Sequence, residues 1–222
     1  MKIAIVGTAP QFIEAPFNDP SWEIWTVAGL FNKAPRIDRL FELHNKKDMA
    51  EFVEAQVGYT EYAKGIKDKL VLRESHETYP DATVFDFKYY LNKYGPRFAS
   101  SISWMLAEAI EKGATEIGIF GVNMTHDSEY EYQRPSACYF CGIAVGMGIK
   151  IHIPKSSDLL LVPVQYGYED EPLAVISARQ KKAEAIQNIQ IASDSARHYE
   201  GDKRYYEGVR DAFENFERSW IR

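Results

Sequence analysis

Short apolar runs that stop at a glycine or proline, with helical patterns between them, constrain this chain more than any other feature. Residues 2–6 (Lys-Ile-Ala-Ile-Val) read as a buried strand closed by Gly7. Residues 22–28 form a second strand ended by Gly29, and 39–44 a third. Leu70-Val71-Leu72 is a short strand, 116–120 a central one ending at Gly121, and 149–153 another stopped by Pro154. Residues 46–65 read as a helix with Met49, Phe52, Val53 and Val57 on one face. The clearest helix is 101–112, where Ile102, Met105, Leu106, Ala109 and Ile110 keep the helical period. Ser100 or Ser101 caps its start and Gly113 marks its stop. A further helix over 135–147 places Pro135 at the first helical position. Residues 73–97 read as irregular, with Pro80, Gly95 and Pro96 as breakers. That stretch is rich in tyrosine, and a connection of this length suits a lid over a site.

Strand, helix, strand, helix, strand is the rhythm of a parallel sheet. The chain therefore reads as α/β: a Rossmann-like, mostly parallel sheet with flanking helices over residues 1–165. Right-handed crossovers gather Gly7, Gly29, His44, Gly121 and Pro154 at one sheet edge, where open parallel sheets bind ligands. From about residue 172 the strand signal ends. Residues 172–222 read as a C-terminal α-helical hairpin turning at Gly201-Asp202. Ile186, Ile189, Ala192 and Ala196 make one apolar stripe, and Val209, Phe213, Phe216 and Trp220 another. Such stripes must be buried, against the core or in a homo-oligomer.

The formal charge of −6 gives no basic footprint for duplex nucleic acid. Cys138 and Cys141 have CxxC spacing but fall inside a helical stretch, so they read as small buried residues rather than a redox pair or zinc site. No signal-peptide pattern and no run of membrane-spanning length is present, so the expected setting is cytoplasmic, with no membrane partner.

Five polar segments at strand ends and helix starts can carry chemistry. Gly7-Thr8-Ala9-Pro10 can bring backbone close to a phosphate, although it matches neither a dinucleotide fingerprint nor a P-loop. Ser100 and Ser101 can cap their helix or share its first amides with an anion. Gly121 and Asn123 follow the central strand, and the Asn123 amide suits a ribose or base edge. His126 beyond them can shuttle a proton. Glu131 offers a base and Arg134 a fork of donors for a phosphate; each also suits a plain surface pairing. Lys155 and Ser156, after the last strand, can touch phosphate or sugar, or simply form a turn. Asp127, Glu129 and Glu131 can hold Mg²⁺, yet no metal site is assigned.

Together, Gly-Thr-Ala-Pro (7–10), Ser-Ser (100–101), Ile-Gly-Ile-Phe-Gly-Val-Asn-Met (117–124) and Ile-Pro-Lys-Ser-Ser (153–157) resemble a group of short phage-encoded proteins. They also resemble the nucleotide-binding core of bacterial CMP-sialic acid-dependent sialyltransferases and the archaeal pterin diphosphokinase-like family. The resemblance covers about residues 1–160. It implies that Gly7 through Pro10 sit at the nucleotide phosphates and that Ser100, Ser101, Gly121 and Asn123 line the nucleoside pocket. A phage origin would make the compartment the host cytoplasm. The chain departs from the sialyltransferase pattern twice: Asn123 stands where that pattern is acidic, and no histidine lies at 131–133.

The leading expectation is a nucleotide-binding transferase, glycosyltransferase-like, with a nucleotide-activated sugar as ligand and no certain cofactor. His126 or Glu131 would serve as base and Arg134 or Lys155 as positive charge. The alternative is a non-catalytic protein that binds or sequesters a nucleotide or a nucleotide-derived signal. A third reading is a scaffold working through its C-terminal hairpin.

Overall fold

The computed structural model describes residues 1–124 and 130–162, the side chains of Tyr130 and Glu131 excepted, and beyond these residues 165, 167, 175, 177–185, 189, 193 and 203–211. The chain divides into two compact units, Met1–Leu161 and Val162–Arg222.

The described residues of the first unit hold seven strands: β1 (Lys2–Val6), β2 (Trp22–Val27), β3 (Arg39–Glu42), β4 (Leu70–Leu72), β5 (Thr83–Val84), β6 (Glu116–Phe120) and β7 (Lys150–His152). They form one sheet in the order β5-β4-β3-β2-β1-β6-β7, and every pairing is parallel. The sequence winds outward from β1 to β5, then returns to start again at β6 on the other side of β1. The direction of winding therefore reverses between β1 and β6, which is the switch point of an open α/β sheet.

Among the described residues of this unit five α-helices accompany the sheet: α1 (Lys46–Ala55), α2 (Tyr59–Ile66), α3 (Phe87–Tyr94), α4 (Ser101–Glu111) and α5 (Tyr130–Gly146). Alternation along the strands sorts the core into two faces. Ile3 and Ile5 of β1 and Ile117 and Ile119 of β6 pack with Met105, Leu106 and Ala109 of α4 and Ala137, Phe140 and Ala144 of α5. Ala4 and Val6 turn the other way, joining Ile24, Leu30 and Phe120. On that second face Leu40, Leu70 and Leu72 pack with Met49, Tyr59 and Ala63 from α1 and α2.

Several elements differ from the sequence reading. The helix expected over 46–65 is two helices, because Gly58 sits at φ 86°, a left-handed conformation that ends one and starts the next. Val57, placed on the buried face by periodicity, is 95% exposed at that break. The stretch 73–97 is not irregular throughout. It contains β5 and α3, the latter capped by the Asp86 side chain, which accepts from the Tyr89 amide, and closed by Gly95 at φ 72°. Pro135 lies inside α5 rather than at its first position, since the helix already includes Tyr130.

In the second unit residues 177–185 and 203–211 are helical. The turn at Gly201-Asp202 and the stripe residues Ile186, Ala192, Ala196, Phe213, Phe216 and Trp220 lie outside the described residues. Ile189 is 69% exposed. No helix among the described residues is long and apolar enough to cross a membrane.

Candidate functional site

A cleft of about 430 Å³ opens at the carboxyl ends of the strands, over the switch point. Gly7, Thr8 and Ala9 reach it from the β1 exit, and Gly121, Val122, Asn123 and Met124 from the β6 exit. Ala99, Ser100, Ser101 and Ile102 come from the start of α4, with Val27 from β2, His44 from the β3 exit and Gln133 from α5. Three segments that are separate in sequence, residues 7–9, 99–102 and 121–124, thus share one wall. A larger hollow of about 600 Å³ lies elsewhere, lined by Lys46 and residues 75–80, 82 and 84 around the ends of β4 and β5. We place the candidate site at the smaller cleft because it occupies the switch point, where parallel sheets take ligands.

The β1 and β6 exits are tied to each other. The Gly7 amide donates to Phe120 O at 2.9 Å, and the Ala9 amide donates to Gly121 O at 2.9 Å. These bonds change the role of the first turn. Gly7 and Ala9 have already given their N–H groups to protein carbonyls, and Pro10 has none. Only the Thr8 amide, in an exposed residue, is left without a protein acceptor in this turn among the described residues. The expectation that the whole Gly7–Pro10 turn offers amides to a phosphate therefore narrows to Thr8. Pro10 instead opens a short 3-10 turn, Pro10–Glu14.

Helix α4 presents its N-terminus to the cleft. Ser100 is its N-cap: the Ser100 side chain accepts from the Ser103 amide, and the Ser103 hydroxyl accepts from the Ser100 amide at 3.2 Å. Ser101 and Ile102 are the first two helical residues, and no described protein acceptor takes their amides. They form an anion-receptive end in the sense of orphan helix donors. The segment before the helix is held from α5, where Ser136 Oγ donates to Arg97 O at 2.5 Å and accepts from the Ala99 amide at 3.2 Å.

Asn123 is half engaged. Its Nδ2 donates to Gln11 Oε1 at 3.2 Å, while its Oδ1 is buried and unpaired. The loop after β7 braces this exit: Ser157 Oγ donates to Val122 O at 2.8 Å, and Asp158 Oδ1 accepts from the Met124 amide at 2.7 Å.

The cationic candidates sit differently from the sequence reading. Arg134 donates to the carbonyls of Asp158 and Leu161, so its guanidinium holds the 158–161 loop and is not among the cleft-lining residues. Lys155 is exposed on its turn, and Ser156 Oγ donates to Glu14 Oε1 at 2.5 Å; neither residue lines the cleft. His126 and the side chain of Glu131 lie outside the described residues, as do Asp127 and Glu129. Among the described residues no three His, Cys, Asp or Glu side chains gather as a metal site.

His44, expected at this sheet edge, lines the cleft with a partner that the sequence analysis does not single out, Glu42. His44 Nδ1 lies 2.5 Å from Glu42 Oε1, and the same oxygen accepts from the His44 amide at 3.1 Å. The Glu42 side chain is fully buried, whereas His44 is 55% exposed. A carboxylate and an imidazole two residues apart on an extended chain fall on the same side. The readable signal was a glutamate set within the apolar strand run 39–43.

No family model matches the sequence, and no curated protein matches it. Solved structures do. One is the sialyltransferase CstII from Campylobacter jejuni in complex with a substrate analogue, CMP-3FNeuAc: 12% identity, TM-score 0.48, covering 82% of this chain and 98% of that one. A second, CstII with cytidine-5'-monophosphate, gives 14% identity and TM-score 0.47 over 82% of this chain and 99% of that one. The sialyltransferase CST-II with a trisaccharide acceptor and CMP gives 14% identity and TM-score 0.44 over 69% and 80%.

Proposed function

We propose that the switch-point cleft binds a nucleotide through its phosphate and that the protein is a transferase using a nucleotide-activated sugar. The observation that carries the reading is the meeting of the Thr8 amide, the Ser101 and Ile102 amides and the Asn123 side chain in one cleft. An oxyanion leaving on the phosphate is stabilised by amides already oriented toward it, with no reorganisation during the reaction. Asn123 Oδ1, buried without a donor, suits a ribose hydroxyl or a base amine, and a ligand there would relieve the unpaired acceptor. His126 and Glu131 stand as candidate bases and Arg134, Lys155 and Ser156 as outer contacts. The last three reach the ligand only if the 155–161 loop rearranges around it.

The test is thermal unfolding of the full chain with CMP, UDP and GDP and their sugar conjugates. Stabilisation by one nucleotide class, lost in Asn123→Ala, supports the reading; no shift with any of them overturns it. A second reading, binding or sequestration without chemistry, draws on the sparse ionisable lining of the cleft. Among the described lining residues His44 is the only one that titrates. Recovery of an unaltered nucleotide sugar after prolonged incubation with an acceptor alcohol favours sequestration.

A further inference from the structure

We propose that Ser136 of α5 is a positioning residue for the phosphate-binding amides of α4. The proposal rests on the nucleotide reading above and deepens it, since it names what holds those amides in place before a ligand arrives.

The connection between α3 and α4 runs from Gly95 to Ser100. Its last residues decide where the N-terminus of α4 points. Ser136 meets them with one hydroxyl used twice: Oγ donates to Arg97 O at 2.5 Å and accepts from the Ala99 amide at 3.2 Å. Those two groups belong to the two peptide units that flank Phe98, so a single side chain fixes both planes. The Phe98 ring stacks on Trp104 of α4 and on Phe140 of α5, with centroids 3.6 and 4.6 Å away. Stacked rings resist separation but give a peptide plane no direction; the two hydrogen bonds supply it.

A serine inside a helix ordinarily turns its hydroxyl back to a carbonyl of its own helix or out to water. Ser136 is buried, and it spends both its proton and a lone pair on the segment before α4. Its neighbours on the buried face of α5, Ala137, Phe140, Cys141 and Ala144, are apolar or nearly so. Alanine would fill the same place and suit the helix better. What alanine lacks is the bridge to Arg97 and Ala99.

From Ala99 the geometry reaches the ligand wall within two residues. Ser100 is extended, at φ −157° and ψ 162°, and caps α4 through its exchange with Ser103. The Ser101 and Ile102 amides follow at once, with no described protein acceptor. A rotation of the peptide plane before Ala99 is therefore carried into their direction. Gln133, one turn before Ser136 on α5, lines the same cleft. Helix α5 thus touches the ligand wall and the entry to α4 from adjacent turns. Donors held in this way bind an anion without first being ordered, and that saving is the contribution assigned to Ser136.

The test separates the phosphate from the rest of the ligand. The full chain is titrated with CMP, UDP and GDP and with cytidine, uridine and guanosine, and dissociation constants are read from ¹H–¹⁵N shifts. For the pair that the wild type binds, the ratio of nucleoside Kd to nucleotide Kd measures what the phosphate adds. Ser136→Ala shrinks that ratio by about tenfold and leaves the nucleoside Kd within about twofold. A purely structural serine lowers the unfolding temperature and leaves the ratio within about twofold of wild type, which overturns the proposal. Should Ser136→Ala fail to fold, Ser136→Cys is read by the same ratio, because it keeps the shape and weakens both hydrogen bonds. If the wild type binds none of the six compounds, the nucleotide reading fails and this role fails with it. If the wild type prefers a nucleotide to its nucleoside and Ser136→Ala keeps that preference, only the role of Ser136 falls.

Discussion

Gly7 and Gly121 each occupy the space that a side chain on the other would need. A Cβ built on Gly7 meets Gly121 O at 2.6 Å, and one on Gly121 meets Gly7 O at 2.4 Å. Gly121 also sits at φ 61°, a left-handed conformation. The two strand exits beneath the cleft thus touch backbone to backbone at the switch point. Gly121→Ala combines an unfavourable backbone with a clash against rigid backbone atoms, and costs at least about 2 kcal/mol. Gly7→Ala meets only the clash and should cost less. Urea unfolding midpoints of the two variants check both the size and the order.

Arg39 ties the opposite end of α4 to the sheet. Its Nη1 lies 2.8 Å from Glu108 Oε1, both side chains are largely buried, and the Tyr90 hydroxyl donates to the other carboxylate oxygen. The guanidinium also lies over Trp25 and Phe41. Removing one partner of a buried pair strands the other charge. Arg39→Met should lower stability by about 3 kcal/mol, whereas the double variant with Glu108→Leu should recover part of that loss. A double-mutant cycle in denaturant measures the coupling, and its absence would show that α4 is held by apolar packing alone.

Most of the sheet was legible because its central strands are buried on both faces and so read as apolar runs cut by glycine. The order of strands was not, since nothing local says that β6 pairs with β1. Helix α3 was hidden differently. Phe87, Tyr90, Leu91 and Tyr94 keep the helical period, and Asp86 and Gly95 bracket them. The density of aromatic side chains and of nearby Pro80 and Pro96 made the segment look like a loop. In the site, the convergence of 7–9, 100–102 and 121–124 could be anticipated from strand ends alone. The loss of the Gly7 and Ala9 amides to β6 carbonyls could not, because it depends on which strand lies alongside. His44 was legible as a strand end at the ligand edge, but its pairing with Glu42 escaped because burial, which makes the carboxylate meaningful, is a tertiary property.

Burial pushes the Cys141 thiol up to about 12, and the nearby Cys138 adds to the shift. The unfolded thiol titrates near 8.5, so the folded state disfavours the thiolate relative to the unfolded state. The associated stability is complete below about pH 8.5 and is lost as pH climbs toward the folded value. Cys141→Ala should therefore flatten the alkaline decline in stability between about pH 9 and 11. An aromatic disulfide reagent at pH 8 should modify the half-buried Cys138 in the native protein and Cys141 only after unfolding. Rapid native labelling of both thiols would contradict the packing of α5 against the sheet.

The sharpest test of the phosphate reading removes one N–H and little else. Ser101 is the first helical residue of α4, where proline is well tolerated because the missing amide has no helical partner. The residue before a proline must be extended, and Ser100 already sits at φ −157° and ψ 162°. Ser101→Pro should therefore keep the helix and change stability by less than about 1 kcal/mol. If the Ser101 amide holds a phosphate oxygen, the same substitution removes a hydrogen bond to a charged group, worth about 1.5–3 kcal/mol. Affinity for the stabilising nucleotide should then fall by roughly 10–100-fold. Ser101→Ala separates the hydroxyl from the amide, because it deletes the first and keeps the second. Calorimetric titration of the three proteins decides. Equal affinity for the wild type and Ser101→Pro would remove the Ser101 amide from the binding site while leaving the helix untouched.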